Sequence, residues 1–212
     1  MYFRPETNQY PYQPHQIRQD FPHVSFPATI SDGLMEEYGI LKVAETDQPT
    51  IDPITQRVSE SPPIEIDGVW TQQWGIIDLS PEEAAANFAN LIATSCTQID
   101  GDTDAIYGAV LGSRAQEYTL AEQEAAAYTA AGHTGTVPSS VQAWATAKGW
   151  AAHTAADDIL ATATAWRGAQ AAIRAQRLAA KEAVRNADDL AEVTAALAAW
   201  GAFATYIRGQ LA

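Results

Sequence analysis

The stretch Asp78-Leu79-Ser80-Pro81-Glu82-Glu83-Ala84-Ala85-Ala86 divides the chain into two parts of different character. Nine of the 11 prolines and only two alanines precede this stretch, whereas about 40 alanines lie in or after it. Proline fixes φ and lacks a backbone N–H, so residues 1–79 cannot sustain long helices. Alanine has the highest helix propensity, so residues 80–212 are predicted to be almost entirely helical. The predicted fold class is therefore α+β, with a small N-terminal β-rich domain, a long Ala-rich helix and a helical bundle.

Composition excludes several classes of function. The 212 residues are 47% apolar, which allows a real core, and carry a formal net charge of −14. Such an acidic chain repels phosphate backbones, so no nucleic-acid partner is expected. The single cysteine excludes an internal disulfide and a cysteine-rich zinc site. No charge-free apolar run reaches about 18 residues, so we expect no membrane insertion. The N-terminus lacks the apolar core of a signal peptide, so we expect the protein to be made in a cytoplasm.

The N-terminal part combines prolines with aromatic rings and then short strands. Residues 1–30 are predicted to form an extended arm, which either folds onto its own domain or wraps a neighbouring subunit. Strands are predicted at 39–43, 53–58, 63–66 and 69–77, and the last two flank Asp67-Gly68, a strong hairpin signal. Trp70 and Trp74 lie at even spacing on one strand face. The predicted docking residues of this attachment domain are Tyr10, Tyr12, Phe21, Phe26, Trp70 and Trp74.

Helix boundaries follow from capping residues. Ser80-Pro81-Glu82-Glu83 is a capping box with proline at the first helical position. Thr119, Thr154 and Asp188 are predicted N-caps, and Gly132 is predicted to end a helix. The five predicted helices are 81–114, 120–131, 140–149, 155–187 and 189–211. The predicted domains are 1–79 (arm and attachment domain), 80–114 (coiled-coil helix) and 115–212 (helical bundle).

The first long helix carries an apolar stripe with heptad spacing. Steps of four and three residues place isoleucine at d positions, which favours three or four strands over a parallel dimer. The stripe therefore predicts either a parallel homotrimer or packing against helices of the same chain, and both alternatives stay open. The predicted oligomer-interface residues are Ile92, Cys96, Ile99, Thr103, Ile106 and Val110.

The last two helices are expected to form an antiparallel hairpin, because only about two residues separate them. Their apolar stripes are rich in alanine, which lets the helix axes approach closely. The basic side chains of the longer helix lie mostly off its stripe, where they form a solvated face or contact an acidic neighbour. The predicted core residues of the helical bundle are Trp166, Ile173, Leu197, Trp200 and Ile207.

No catalytic or metal-binding motif emerges from the sequence. The four histidines never occur in a two-histidine helical spacing, and His133 lies in a Gly-rich loop. Asp100, Asp102 and Asp104 alternate as in a calcium loop, but the glycine and glutamate positions of that motif do not match. No phosphate-binding loop or nucleophile elbow occurs. The chain is therefore predicted to be no enzyme and to bind no cofactor or metal.

Two stretches resemble small tail-associated proteins of tailed bacteriophages. The first is PIEIDGVWTQQW (63–74) running into LSPEE (79–83), a Gly–Trp hairpin followed by a capped helix. The second is IYGAVLGSR (106–114) with HTGTVP (133–138) and VQAWA (141–145), similar to the Ala-rich C-terminal region of the same group. The resemblance covers roughly residues 50–212 and carries no catalytic residues.

The resemblance implies a structural component of the phage tail tip, in a tail fibre or baseplate, localised in the virion. Its implied partners are itself as a homotrimer, other tail fibre or baseplate proteins, and a host surface receptor. One alternative is a tail-fibre assembly chaperone that leaves the particle. Another is a virion-associated hydrolase of host surface polymers, against which the missing paired-carboxylate site argues.

Overall fold

The structure, a computed structural model, describes residues 1–211 and has the expected α+β fold class. The chain forms two compact units: unit 1 is Met1–Asn87, and unit 2 begins at Phe88 and takes in the remaining described residues. The predicted boundary after residue 79 lies eight residues before this division. The difference arises because the first two turns of the long helix belong to unit 1, where the Asn87 amide contacts the carbonyl oxygens of Pro53 and Ile54.

Unit 1 contains two small antiparallel sheets. The first has the strand order β2-β1-β3, and the second is the hairpin β4-β5. Two short helices, α1 and α2, lie between β2 and β3 in sequence. The elements are β1 (Tyr2–Arg4), β2 (Gln9–Tyr12), α1 (Ile17–Asp20), α2 (Asp32–Glu37), β3 (Leu41–Lys42), β4 (Gln56–Ile66) and β5 (Val69–Asp78).

The first 30 residues fold onto their own unit. Tyr12, Ile17, Met35 and Ile40 have no exposed surface and form one apolar cluster. Tyr12 and Ile17 of the predicted arm therefore belong to the core of unit 1 together with Met35 and Ile40. Of the two alternatives for the arm, packing on its own domain is the one that the structure shows.

The hairpin signal at Asp67-Gly68 is confirmed. Both residues have positive φ, +50° and +81°, as a two-residue type I′ turn requires. Two strands predicted separately, 53–58 and 63–66, form the single strand β4. A bulge between Ser61 and Ile64 accommodates Pro62 and Pro63, which have no N–H to donate to the ladder.

Five helices of eight or more residues occur in the described chain, close to the predicted positions. Ser80 caps the first one: its Oγ accepts from the Glu83 N–H at 3.2 Å, and the Glu83 carboxylate accepts from the Ser80 N–H at 2.9 Å. The helices are α3 (Pro81–Val110), α4 (Ala115–Ala130), α5 (Ser139–Lys148), α6 (Ala152–Arg185) and α7 (Leu190–Leu211).

Three predicted N-caps are wrong, whereas the predicted helix end at Gly132 is confirmed. Thr119 and Thr154 lie inside α4 and α6, and the Thr119 hydroxyl donates to the Ala115 carbonyl at 2.9 Å. The N-cap of α7 is Asp189 instead of Asp188, since the Asp189 carboxylate accepts from the Glu192 N–H at 2.8 Å. Gly132 has a φ of +67° directly after α4, a left-handed conformation that glycine adopts without strain.

Unit 2 has two apolar clusters. The larger joins α3, α6 and α7, and it contains four of the five predicted bundle residues: Ile173, Trp200 and Ile207 are buried, and partly buried Leu197 packs against them. The fifth, Trp166, is half-buried and meets the Tyr107 ring edge-to-face at 5.8 Å. The smaller cluster joins α4, α5 and the start of α6.

Helix α7 is long and apolar enough to cross a membrane, with a mean hydropathy of 1.3 over its most apolar 18 residues. Glu192 and Arg208 limit its charge-free run to residues 193–207, which is shorter than the about 18 residues expected of a membrane span. One face of α7 packs into the larger cluster through Val193, Trp200 and Ala204. Core helices of soluble proteins meet the same criteria of length and composition, so this helix is weak support for a membrane span.

The trimeric coiled coil through α3 is not confirmed. Ile99, Thr103 and Ile106 are buried within one chain, at most 1% exposed, and the two isoleucines pack against residues of α6 and α7. Ile92 and Cys96 are partly buried against the same cluster. The Thr103 hydroxyl donates to the Ile99 carbonyl at 2.8 Å, so its polarity is satisfied inside the helix. The remaining predicted interface residue, Val110, is also half-buried.

Candidate docking surface

The β4-β5 hairpin has one face turned toward the rest of unit 1. Trp70 packs against Phe3 of β1 with ring centroids 4.8 Å apart, and Gln72 is 4% exposed. Beside them, Ala44 bridges to β5: its N–H donates to the Trp70 carbonyl at 2.8 Å, and the Gln72 N–H donates to the Ala44 carbonyl at 2.9 Å. These contacts fix the hairpin on the three-stranded sheet.

A hydrogen-bond network holds the same inner face. The Gln72 amide donates to the Glu60 carboxylate at 2.5 Å and accepts from the Thr46 N–H at 3.1 Å. The Tyr10 hydroxyl also donates to Glu60. Burial, followed by this bond to Glu60, raises the pKa of Tyr10 to about 12. The phenol is therefore neutral near pH 7 and acts as a structural donor.

The raised pKa of Tyr10 predicts a stability loss in alkali. Its stabilising contribution is complete below its ordinary pKa of 10 and is lost as the pH rises through about 12. We expect the free energy of unfolding of unit 1 to fall in this window, and Tyr10→Phe to show a smaller fall. Urea denaturation from pH 8 to pH 11.5 measures both. Identical pH profiles for the two proteins would contradict the assignment.

The opposite face of the hairpin exposes aliphatic side chains near the turn. Ile64, Ile66 and Val69 are 50%, 45% and 51% exposed, and we call these three residues the aliphatic patch. They lie on one face because Ile66 pairs with Val69 across the strands and Ile64 is two residues from Ile66. Neighbouring exposed aliphatic side chains lose hydration cost when a partner covers them, so these three residues mark a candidate contact surface.

The two edges of the hairpin are poorly suited to the addition of a partner strand. On β4, Pro62 and Pro63 interrupt the row of backbone donors. On β5, Ala44 already occupies the edge opposite Thr71. A partner is therefore expected to contact side chains of the aliphatic patch and not to extend the sheet.

The negative charge of unit 1 indicates which charged groups a partner surface would carry around its apolar contact. Residues 1–87 contain 14 acidic and four basic side chains, which is a net charge of −10. Two of the four basic groups are paired internally, Arg4 with Asp20 and Lys42 with Asp32. Asp67 adjoins the aliphatic patch in the turn, whereas Glu65 pairs with Trp70 and lies on the other face of the hairpin. A partner with an apolar centre and a basic rim would complement this surface.

The predicted docking residues are mostly turned inward. Tyr12 is fully buried, and Phe21 and Phe26 meet the Tyr38 ring at 4.9 and 5.1 Å. Tyr12 is therefore a core residue that a partner cannot reach, whereas Phe21 and Phe26 pack against the same cluster and stay partly exposed. Of the other three, all half-buried, Tyr10 and Trp70 serve the inner face as described, and the Trp74 indole donates to the Thr46 carbonyl at 3.1 Å.

Sequence reasoning missed the aliphatic patch, although a signal was present. Ile64 and Ile66 alternate along β4 and Val69 follows the turn, so the hairpin register alone places them together. The predicted docking residues of this hairpin, Trp70 and Trp74, lie on its other face. Large rings supply more apolar area per residue than isoleucine, and Trp70 packs on the inner face of the hairpin against Phe3.

The histidine loop of unit 2 forms a small polar cluster. His133 Nε2 lies 3.6 Å from Asp157 Oδ1, and the His133 ring is 6.0 Å from that of His153 and 5.4 Å from that of Tyr128. Across residues 1–211, no group of three or more His, Cys, Asp or Glu side chains is arranged to hold a metal ion.

Comparisons with known proteins identify no relative. No family model matches the chain, and neither a curated protein nor a solved structure is significantly similar to it.

Proposed function

We propose that the chain is a non-enzymatic structural protein of a bacteriophage tail tip, a tail fibre or baseplate component localised in the virion. In this proposal unit 1 is the attachment module and its aliphatic patch contacts another tail protein. The phage context rests on the sequence resemblance. The single observation that carries the docking role is the exposed aliphatic patch on a hairpin whose other face is fixed.

The physical argument for docking is the asymmetry of the hairpin. Fully burying an aliphatic side chain contributes about 1.5–3 kcal/mol, and each residue of the aliphatic patch is still half exposed. Because the inner face is already held by Trp70 and Gln72, little further ordering of the hairpin is needed on binding, which lowers the cost of association. A host surface receptor is a further proposed partner, to be tested separately.

Mass spectrometry of purified particles tests the proposal. Particles released from cells that carry this sequence should contain the chain at a fixed ratio to other tail proteins. A chain found in the lysate and never in purified particles contradicts a virion component.

An assembly chaperone is the second candidate, and the packing of α3 favours it. The apolar stripe that would join copies in a trimeric fibre is buried within one chain. A homotrimer would therefore need a surface other than Ile99, Thr103 and Ile106. A chaperone acts as a separate chain and leaves the particle, so loss of fibre assembly together with absence from particles would support it.

A matched pair of variants tests the aliphatic patch. Ile66→Asp places a charge in the patch, whereas Ile76→Asp makes the same change at a residue of similar exposure, 45% against 49%, near the far end of the hairpin. We expect Ile66→Asp to reduce incorporation into particles by about tenfold or more, as a central contact worth over 1.4 kcal/mol would.

The control variant should be incorporated like the original chain. Both variants should keep their melting temperatures, because exposed substitutions change stability little. Equal incorporation of Ile66→Asp and Ile76→Asp would exclude the aliphatic patch as the contact.

A further inference from the structure

A groove of about 290 Å³ lies between α3 and α6 within unit 2. It is lined by Tyr107 of α3 and by Gln170, Ala171, Arg174 and Arg177 of α6. We call it the basic groove. Its lining brings two guanidinium groups, a side-chain amide and a phenol hydroxyl to one place. All four groups can donate hydrogen bonds, and such a set suits an acceptor-rich ligand.

The donors of the basic groove are poorly used by the protein. Arg177 Nε is buried and has no hydrogen-bond partner. Arg177 Nη1 lies 3.7 Å from Asp100 Oδ1, which is beyond hydrogen-bond distance. Arg174 is exposed and makes no ion pair within residues 1–211, although the chain has an excess of acids. The Arg177 guanidinium therefore keeps donors that an acceptor in the basic groove can satisfy.

The charge at the basic groove is positive in an otherwise acidic protein. Asp100 is the facing carboxylate from α3, and Lys181 pairs with it. Lys181 and Arg177 share this single carboxylate, and Arg174 has no acidic partner within residues 1–211, so the charge around the groove stays positive. The other basic groups of this stretch, Arg167 and Arg185, pair with Glu122 and Glu182 at 2.5 Å and do not line the groove.

We infer that the basic groove binds an oxyanion, a carboxylate or a phosphate, held between Arg174 and Arg177. Guanidinium groups match the planar fork of a carboxylate and the oxygens of a phosphate, and such charge-assisted hydrogen bonds are about twice as strong as neutral ones. Gln170 and Tyr107 supply further donors. The volume suits a small anion or one acidic side chain of a partner protein. A nucleic acid is disfavoured by the net charge of −14.

This inference does not depend on the proposed phage function. Absence of the chain from purified particles would not contradict anion binding at the basic groove. Failure of the groove to bind an anion would not contradict the docking role of the aliphatic patch.

The experiment is a titration of the full chain followed by the indole N–H signal of Trp166. This indole reports on the basic groove, because the Tyr107 ring packs against it at 5.8 Å. The probes are inorganic phosphate, succinate and a hexa-aspartate peptide, each at constant ionic strength held with sodium chloride. Arg174→Gln removes one lining charge, and Arg167→Gln is the matched control on the same helix outside the groove.

We expect a saturable shift of the Trp166 signal, an affinity about tenfold weaker in Arg174→Gln, and an unchanged affinity in Arg167→Gln. Saturation by phosphate or succinate identifies a free small anion as the ligand source. Saturation by the peptide alone identifies an acidic side chain of a protein partner. The inference is overturned if none of the three probes saturates, or if Arg174→Gln and the original chain bind equally. Circular dichroism of both variants confirms that the helices are retained.

Discussion

Ile99→Asp is expected to unfold unit 2. Ile99 has no exposed surface and lies in the cluster formed by α3, α6 and α7. An aspartate at this position would place an unpaired carboxylate among apolar side chains, at a cost of several kcal/mol. Since typical domains are stable by only about 5–15 kcal/mol, most of the stability of this unit would be lost. Urea denaturation followed by circular dichroism at 222 nm measures the change.

Thr97→Asp is the matched control for this substitution. Thr97 lies two residues away in the same helix but is exposed, so an added charge there meets solvent. We expect its effect to stay within about 0.5 kcal/mol. If Ile99→Asp retained the helix content and the midpoint of the original chain, the cluster would not be the core of unit 2.

Trp200→Ala is expected to destabilise unit 2 by about 3–5 kcal/mol, the usual cost of deleting a large buried aromatic side chain. Trp200 is 1% exposed and packs in the same cluster, where its ring lies 5.8 Å from that of Phe203. Its indole N–H donates to Asp102 Oδ2 at 3.0 Å. The substitution therefore removes both apolar area and a charge-assisted hydrogen bond.

Trp200→Phe separates these two contributions. It keeps most of the ring volume but leaves Asp102 with Arg208 alone, at 3.7 Å. We expect a smaller loss, about 1.5–3 kcal/mol, the range for hydrogen bonds to charged groups. Chemical denaturation of both variants gives the comparison. A loss below about 1 kcal/mol for Trp200→Ala would mean that this indole is not a central core residue.

The sequence predicted best where local chemistry alone determines the structure. The Ser80 capping box starts a helix whatever surrounds it, because the bonds to Glu83 close within three residues. The turn at Asp67-Gly68 forms for a similar reason, since its backbone needs two positive φ values. The pairing of α6 with α7 followed from a short connection, which leaves the two helices little choice of neighbour.

The sequence could not decide which surface covers the stripe of α3. A heptad of apolar residues is satisfied equally by copies of itself or by other helices of the chain. The deciding contacts come from Asp100 and Asp102, which are about 80 to 100 residues distant in sequence from their partners Lys181 and Trp200. In the sequence these aspartates stand out only by an alternation similar to a calcium loop, whereas in the structure they connect α3 to α6 and α7.

The sequence predicted the hairpin that carries the candidate site, but not the residues of the aliphatic patch. The hairpin was expected, and so was a docking role for the domain that contains it. The predicted docking residues are all aromatic, and in the structure several of these rings pack in or against the core of unit 1. Tyr12 lies in this core and Phe21 packs against it, whereas the residues of the aliphatic patch remain exposed.

The central claim is that the apolar stripe of α3 forms a core within one chain and is not an interface between chains. The most direct test is the melting temperature of the helical signal over a hundredfold range of protein concentration, with the mass measured in parallel by light scattering. An intramolecular core predicts a constant melting temperature and a mass of 22.8 kDa. A mass near three times that value, with a melting temperature that falls on dilution, would contradict it.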